Sequence, residues 1–324
     1  MTKRILLTEP IQQSGMELLR ERADVVLAED ASPQALRALI RDADGLIARN
    51  TEVSAETLNM AKNLKVIASH GAGTDHIDVD AATRAGIYVV NTPGANAESV
   101  AEAVVGLLLA GSRRLFEASQ AFQSEKDYSL RHRLLGGDLH KKTIGIVGMG
   151  KIGQKLARIC RGGFAMRVLF YDPYVAANAP EALGSEKREA LEEMLPEVDF
   201  LSLNCPYTPA LFHLINAERL KLLKPGAGFV NCARGLLVDE DALYDSLIEK
   251  RLSFAALDVF SQEPPCLDKP LYALPNVITT PHIAAFAKDS IDLMSLTSAR
   301  DVLCILEGRI GEANIVNPAA GAIS

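Results

Sequence analysis

The sequence predicts an α/β protein built of two doubly wound parallel-sheet units, and three observations carry that prediction. Short apolar runs alternate with helical periodicity over the first hundred residues, the same alternation restarts near residue 143, and a polar stretch at 124–142 lies between them. The chain has 324 residues, of which 48% are hydrophobic and 23% charged, enough for two buried cores.

In the first half, the runs at 5–7, 25–27, 45–48, 65–68 and 87–90 read as strands, with helices at 11–20, 33–43, 54–61 and 79–85. Ser32 and Pro33 form a helix start, the serine as N-cap and the proline in the first turn. The segment 97–122 reads as one long helix with Val100, Val104, Leu107, Leu108 and Leu115 near one stripe. Its apolar middle belongs between two layers or two subunits. In the second half, strands at 143–148, 167–171, 199–203, 228–232, 254–258 and 277–280 alternate with helices, the clearest beginning at Lys151 and Asp239. The segment 288–307 reads as a last amphipathic helix.

Composition removes several function classes. A net charge of −7 leaves no electrostatic footprint for nucleic acid. The most apolar helical stretch, 103–112, has about half the length a bilayer requires, so no membrane is expected. Lys3-Arg4 precede only three apolar residues, too few for an export signal. The five cysteines form no CxxC, and an odd count without an export signal predicts reduced thiols and a cytoplasmic protein. Cys205 and Cys232 lie beside the motifs below, where each reads either as a thiol nucleophile or as a small buried apolar residue. Asp75-His76-x-Asp78-x-Asp80 lacks the glycine and terminal glutamate of a calcium loop; its acids read as helix caps, and no metal is expected. Arg131-His132-Arg133 reads as a solvated arm. No GxSxG, HExxH or P-loop is present.

The sharpest motif is Gly148-Met149-Gly150-Lys151-Ile152-Gly153, placed between the buried-strand pattern 143–147 and the helical 154–160. Gly148 permits the tight turn, Gly150 lets backbone approach a pyrophosphate, and Gly153 lets the helix pack on the strand with its amides aimed at the phosphates. Asp172 closes the next strand, nineteen residues past Gly153, the spacing of an acid that accepts hydrogen bonds from the adenosine ribose. Its charge repels a 2′-phosphate and no arginine follows it, so the expected cofactor is NAD. A plain glycine turn and an exposed turn aspartate are the structural alternatives.

Three further segments stand at strand ends, where open α/β sheets form their ligand crevice: Cys232-Ala233-Arg234-Gly235, Gln262-Glu263-Pro264 and Pro281-His282-Ile283. Reduction of a 2-oxo acid needs a cation for the carboxylate and ketone, an acid to protonate the carbonyl oxygen, and a carboxylate to orient that acid. Arg234, His282 and Glu263 supply those types. Solvated surface charges and a half-buried histidine are the competing reading.

These motifs, with Gly71-Ala72-Gly73-Thr74-Asp75-His76-Ile77-Asp78, Asn91-Thr92-Pro93-Gly94 and Ala256-Leu257-Asp258-Val259-Phe260, resemble the D-isomer-specific 2-hydroxyacid dehydrogenases over essentially the whole chain. The resemblance implies two Rossmann-like domains. The substrate-binding (catalytic) one is discontinuous, 1–97 with 289–324, its tail crossing back as a short strand; the NAD-binding one is 98–288. It implies that Arg234 binds the substrate, His282 is the acid/base and Glu263 its partner. The Lys151 and Ile152 amides would meet the pyrophosphate, Asp258 the nicotinamide carboxamide, and Cys205, Cys232 and Ala233 would line the cofactor site. Ala72 and Gly73 would cradle the substrate carboxylate and Arg49 would reach its far end. A small 2-hydroxy or 2-oxo acid is the implied partner, and a homodimer through the NAD-binding domain the implied assembly. The chain carries Ser69-His70 where 3-phosphoglycerate dehydrogenases of the family often carry an arginine, which leaves that substrate as an alternative. An NAD-sensing, corepressor-like binding protein on the same fold is the alternative from another class.

Overall fold

A computed structural model describes residues 2–30, 32–179, 182 and 184–322. The chain divides into two compact units, residues 1–96 with 286–324, and residues 97–285.

The first unit carries β1 (Lys3–Leu7), α1 (Gln13–Arg20), β2 (Ala23–Leu27), α2 (Pro33–Leu39), β3 (Gly45–Ala48), α3 (Ala55–Met60), β4 (Val66–Ser69), α4 (Val79–Arg84) and β5 (Tyr88–Val90). Its sheet runs β2-β1-β3-β4-β5, all parallel. Every residue of β3, β4 and β5 is buried, which is why these strands read as continuous apolar runs rather than alternating ones. Ser32, Ser54 and Asp78 each accept a backbone N–H as N-caps of α2, α3 and α4, so the acid at 78 is a cap.

The second unit carries α5 (Ala97–Ser112), α6 (Leu115–Glu125), β6 (Thr143–Val147), α7 (Lys151–Phe164), β7 (Arg167–Tyr171), β8 (Glu186–Lys187), α8 (Leu191–Met194), β9 (Phe200–Leu203), α9 (Ala217–Leu222), β10 (Ala227–Asn231), α10 (Glu240–Ile248), β11 (Leu252–Leu257) and β12 (Val277–Thr279). The parallel order β12-β11-β10-β9-β6-β7-β8 reverses direction between β6 and β9, the switch point where such sheets bind ligands at their carboxyl ends. The final helix, α11 (Lys288–Leu306), returns to the first unit and packs on α1, β3, β4 and β5.

Three features depart from the sequence reading. The single helix expected at 97–122 is two. Gly137 N–H takes the Ser112 carbonyl (2.8 Å), Arg114 turns into the left-handed region at φ 51°, and its guanidinium grips both oxygens of Glu117. The short strand expected of the tail contracts to one antiparallel bridge, Val90 with Ile315. The Asn317 side chain occupies the edge of β5 instead, accepting from Val89 N–H (2.6 Å) and donating to Ile87 O (3.0 Å), while buried Asp301 holds Asn314 through its backbone and side-chain amides. The two-residue β8 was not expected. An ionic lattice of Arg167 and Arg188 with Glu186 and Glu197 covers that edge.

Candidate active site

The glycine turn links β6 to α7. Gly148 has φ 94°, and a Cβ there would lie 2.8 Å from the Cys205 backbone nitrogen. A Cβ on Gly153 would lie 2.2 Å from the Gly148 carbonyl oxygen, whereas one on Gly150 would meet nothing within 4 Å. The outer glycines therefore close the turn on itself and the middle one borders open space. Gly150 is also the N-cap of α7 and offers no side chain, so the first amides of the helix, those of Lys151 and Ile152 among them, have no side-chain cap. Asp172 is fixed beside them: its Oδ2 accepts from Met149 N–H (2.8 Å) and its Oδ1 from Tyr174 N–H (2.9 Å). A cradle only glycine can form, bare helix amides and an anchored carboxylate together fit a dinucleotide.

The thiols bordering this crevice are not activated. Burial pushes the Cys205 thiol up to about 11, and burial together with the Asp258 charge pushes Cys232 higher still. The nucleophile reading therefore has no support in the structure.

Arg234 stands in extended backbone between β10 and α10. Fully buried Asn231 shapes that turn, accepting from Ala233 N–H (3.0 Å) and donating to Arg234 O (2.9 Å), and Arg234 Nη1 donates to Ala233 O. A Cβ on Gly235 would lie 1.9 Å from the Phe260 carbonyl, so the turns bearing Arg234 and Glu263 touch backbone to backbone. Glu263 Oε1 accepts from Phe260 N–H (3.1 Å), and its Oε2 lies 2.7 Å from His282 Nδ1. A carboxylate only accepts, so Nδ1 carries the proton of that bond and Nε2 is left for exchange.

His282 sits at φ 54° in a turn after β12 that Asp258 organises. Asp258, at the end of β11 and 1% exposed, accepts from Thr280 Oγ1 (2.6 Å), Ile283 N–H (2.8 Å) and Ala284 N–H (2.8 Å). Three bonds from residues 280–284 make it the tie that turns the histidine outward. The hydrogen bond to Glu263 holds the His282 imidazolium above its ordinary range, burial and Arg234 opposing, the charges of Glu263 and Asp258 assisting. Burial pushes the Glu263 carboxyl up, but the His282 bond and charge, the Phe260 amide and Arg234 outweigh it and hold it below the usual carboxylate range.

The remaining sequence candidates lie in the first unit. Arg49, at the end of β3, has its guanidinium 4.6 Å from the Phe286 ring centre and 4.0 Å from Glu9. With Gln12, Phe286, Lys288 and Ile291 it lines a cavity of about 470 Å³; Phe286 and Lys288 were not singled out in the sequence, where they carry no motif. The carbonyls of Ala72 and Gly73 are held by Asn91 Nδ2 (2.7 Å) and Ser69 Oγ (2.6 Å). His70 is buried with Nε2 2.8 Å from Ser295 Oγ, and burial, with the Arg49 charge, pushes it down to about 4. Among the described residues no group of three His, Cys, Asp or Glu side chains could hold a metal, and no helix is long and apolar enough to cross a membrane.

Residues 105–284 match the family model of the D-isomer specific 2-hydroxyacid dehydrogenase NAD binding domain. The chain is 40% identical over 97% of its length to a D-3-phosphoglycerate dehydrogenase of Methanocaldococcus jannaschii, of which it spans 59%. It is 37% identical over 98% of its length to a glyoxylate reductase of Korarchaeum cryptofilum, spanning 96% of that protein. A D-lactate dehydrogenase from Aquifex aeolicus, solved with NAD and lactic acid, superposes with a TM-score of 0.86 at 28% identity, covering 97% of this chain and 99% of that one.

Proposed function

The chain belongs to the D-isomer-specific 2-hydroxyacid dehydrogenase family, and we propose that it interconverts a short D-2-hydroxy acid and its 2-oxo acid with NAD as cofactor. The single observation that carries the reading is the Glu263–His282 pair, a carboxylate 2.7 Å from Nδ1 of a histidine that shares its surroundings with Arg234. The nicotinamide, when bound, donates or accepts the hydride at substrate C2. Arg234 holds the substrate carboxylate and polarises the ketone through a planar, permanently charged fork. His282 gives its Nε2 proton to the carbonyl oxygen in reduction and takes it back in oxidation. Glu263 fixes the tautomer and steadies the imidazolium between turnovers. Anchored Asp172 favours NAD over its 2′-phosphorylated form.

Recognition beyond C2 belongs, in this reading, to Arg49 and the cavity it lines, with the backbone at Ala72 and Gly73 receiving the substrate carboxylate. Exposed Leu115, Phe116 and Phe122 on α6 support a homodimer through the second unit. The test is optical: NADH oxidation against glyoxylate, hydroxypyruvate, phosphohydroxypyruvate, pyruvate and bulkier 2-oxo acids, with NADPH in parallel. Turnover of one or a few acids with NADH is the expected result. Binding of NADH with silence across a wide panel would favour a dinucleotide-sensing protein instead.

A further inference from the structure

We propose that Glu240 is a positioning residue for this reaction: it clamps the 260–264 turn from which Glu263 orients His282. Glu240 is the first residue of α10, yet it is not the cap of that helix, because Asp239 already accepts Ala242 N–H. Its side chain is buried and spends itself on the segment 261–272. Oε1 accepts from Ser261 N–H (2.8 Å), and Oε2 from Lys269 Nζ (2.6 Å) and Tyr272 Oη (3.0 Å). Successive amides of one turn are thus gripped by two carboxylates, Phe260 N–H by Glu263 and Ser261 N–H by Glu240.

The turn is confined from its other sides as well. The Gly235 backbone leaves no space for even a methyl group against Phe260, and the Tyr272 ring meets the Phe260 ring edge-on with centres 5.3 Å apart. Burial pushes the Glu240 carboxyl up, but Lys269, the Ser261 amide and hydroxyl, and Tyr272 outweigh it, so the clamp is ionised. Freed from it, the turn can shift by fractions of an ångström, and the 2.7 Å bond that chiefly raises the His282 pKa weakens. The charged groups around His282 are Glu263, Asp258 and Arg234; those around Glu240 are Lys269, with Tyr272, and on its own helix Asp239 and Asp241.

The test compares Glu240→Gln with Lys269→Gln, because the two separate positioning from bare charge. Removing the negative Glu240 charge would by itself lower the pKa of any nearby histidine, and removing the positive Lys269 charge would raise it. A loosened clamp lowers it in both. The readout is the His282 imidazole pKa by NMR, its signal identified among six histidines by its loss in His282→Ala. We expect a fall of about half a unit to one unit in both variants, with kcat reduced several-fold and the KM for NADH unchanged. An imidazole pKa equal to that of the unmodified protein in both variants, or opposite shifts in the two, would overturn the inference whatever happens to Tm. Should Glu240→Gln fail to fold, Lys269→Gln decides by its sign, since that side chain is 41% exposed and tolerant of change. The inference rests on His282 as the proton-transfer group. NMR reads the imidazole without turnover, so an inactive unmodified protein removes that role, while an unmoved imidazole removes only Glu240's.

Discussion

His282 and His70 are the same side chain held in opposite ways. His282 is 47% exposed, on a left-handed turn, with a carboxylate at Nδ1 that raises its pKa. His70 is 5% exposed at the end of β4, with a hydroxyl at Nε2, and burial drives its pKa to about 4. Ser295 Oγ donates to Ile291 O and accepts from Gln12 N–H, so it takes its third bond from His70 as an acceptor too. That fixes a neutral Nε2–H tautomer. The surroundings of His282 favour its charged ring, and those of His70 its neutral one. The difference comes from the partner and the water around each ring, since both follow a strand's carboxyl end.

The comparison breaks most visibly if the carboxylate-paired histidine is removed. His282→Ala should lower kcat by about 10²–10⁴-fold while NADH still binds. The check pairs NADH oxidation with fluorescence titration of the cofactor. A variant that keeps its turnover would take the proton-transfer role away from His282.

The second effect is on stability, where the two histidines act with opposite sign. His70 has a folded pKa below its unfolded value of 6.5, so the unfolded chain binds more protons between about 4 and 6.5, and stability falls as pH falls through that window. The full shift corresponds to roughly 3 kcal/mol. His282, raised by Glu263, contributes stability that is present below 6.5 and lost as pH rises through its folded pKa. Tm measured from pH 7 to pH 4 should therefore fall less steeply in His70→Gln than in the unmodified protein. Parallel curves would mean that His70 is not held neutral.

How much of this was legible in the residues depends on how local the cause is. Strands such as β3 and β6 are buried along their whole length, so an apolar run announces them. The glycine turn is legible because Gly148 and Gly153 each answer a separate steric demand, met against residue 205 and within the turn itself, while Gly150 borders open space. The break between α5 and α6 is not legible. It is imposed by Gly136 and Gly137, whose backbone closes on Ser112 and Arg113 from more than twenty residues downstream. The tail is shorter than a strand for a similar reason, since beyond the Val90–Ile315 bridge the edge of β5 is taken by the Asn317 side chain. Asp258 could be singled out from its motif, but nothing in the sequence shows that both its oxygens serve the His282 turn. His70 is the clearest case: burial sets its chemistry, and a lone histidine between Ser69 and Gly71 carries no sign of burial.

Replacing the carboxylate that distinguishes the two histidines gives the smallest and most discriminating effect. Glu263→Gln keeps an acceptor oxygen of the same reach for His282 Nδ1–H or Phe260 N–H, while removing the charge that steadies the imidazolium. The imidazole pKa should fall, because the Glu263 bond and charge are what raise it. In the proposed reaction reduction needs the protonated ring and oxidation the neutral one, so the alkaline limb of the reductive pH profile and the acid limb of the oxidative profile should move to lower pH together. Profiles measured in both directions make the result hard to mistake, because a change in substrate affinity alone has no reason to move both limbs equally. If neither limb moves, Glu263 only orients the ring, and the charge difference between His282 and His70 has to be sought in solvent exposure instead.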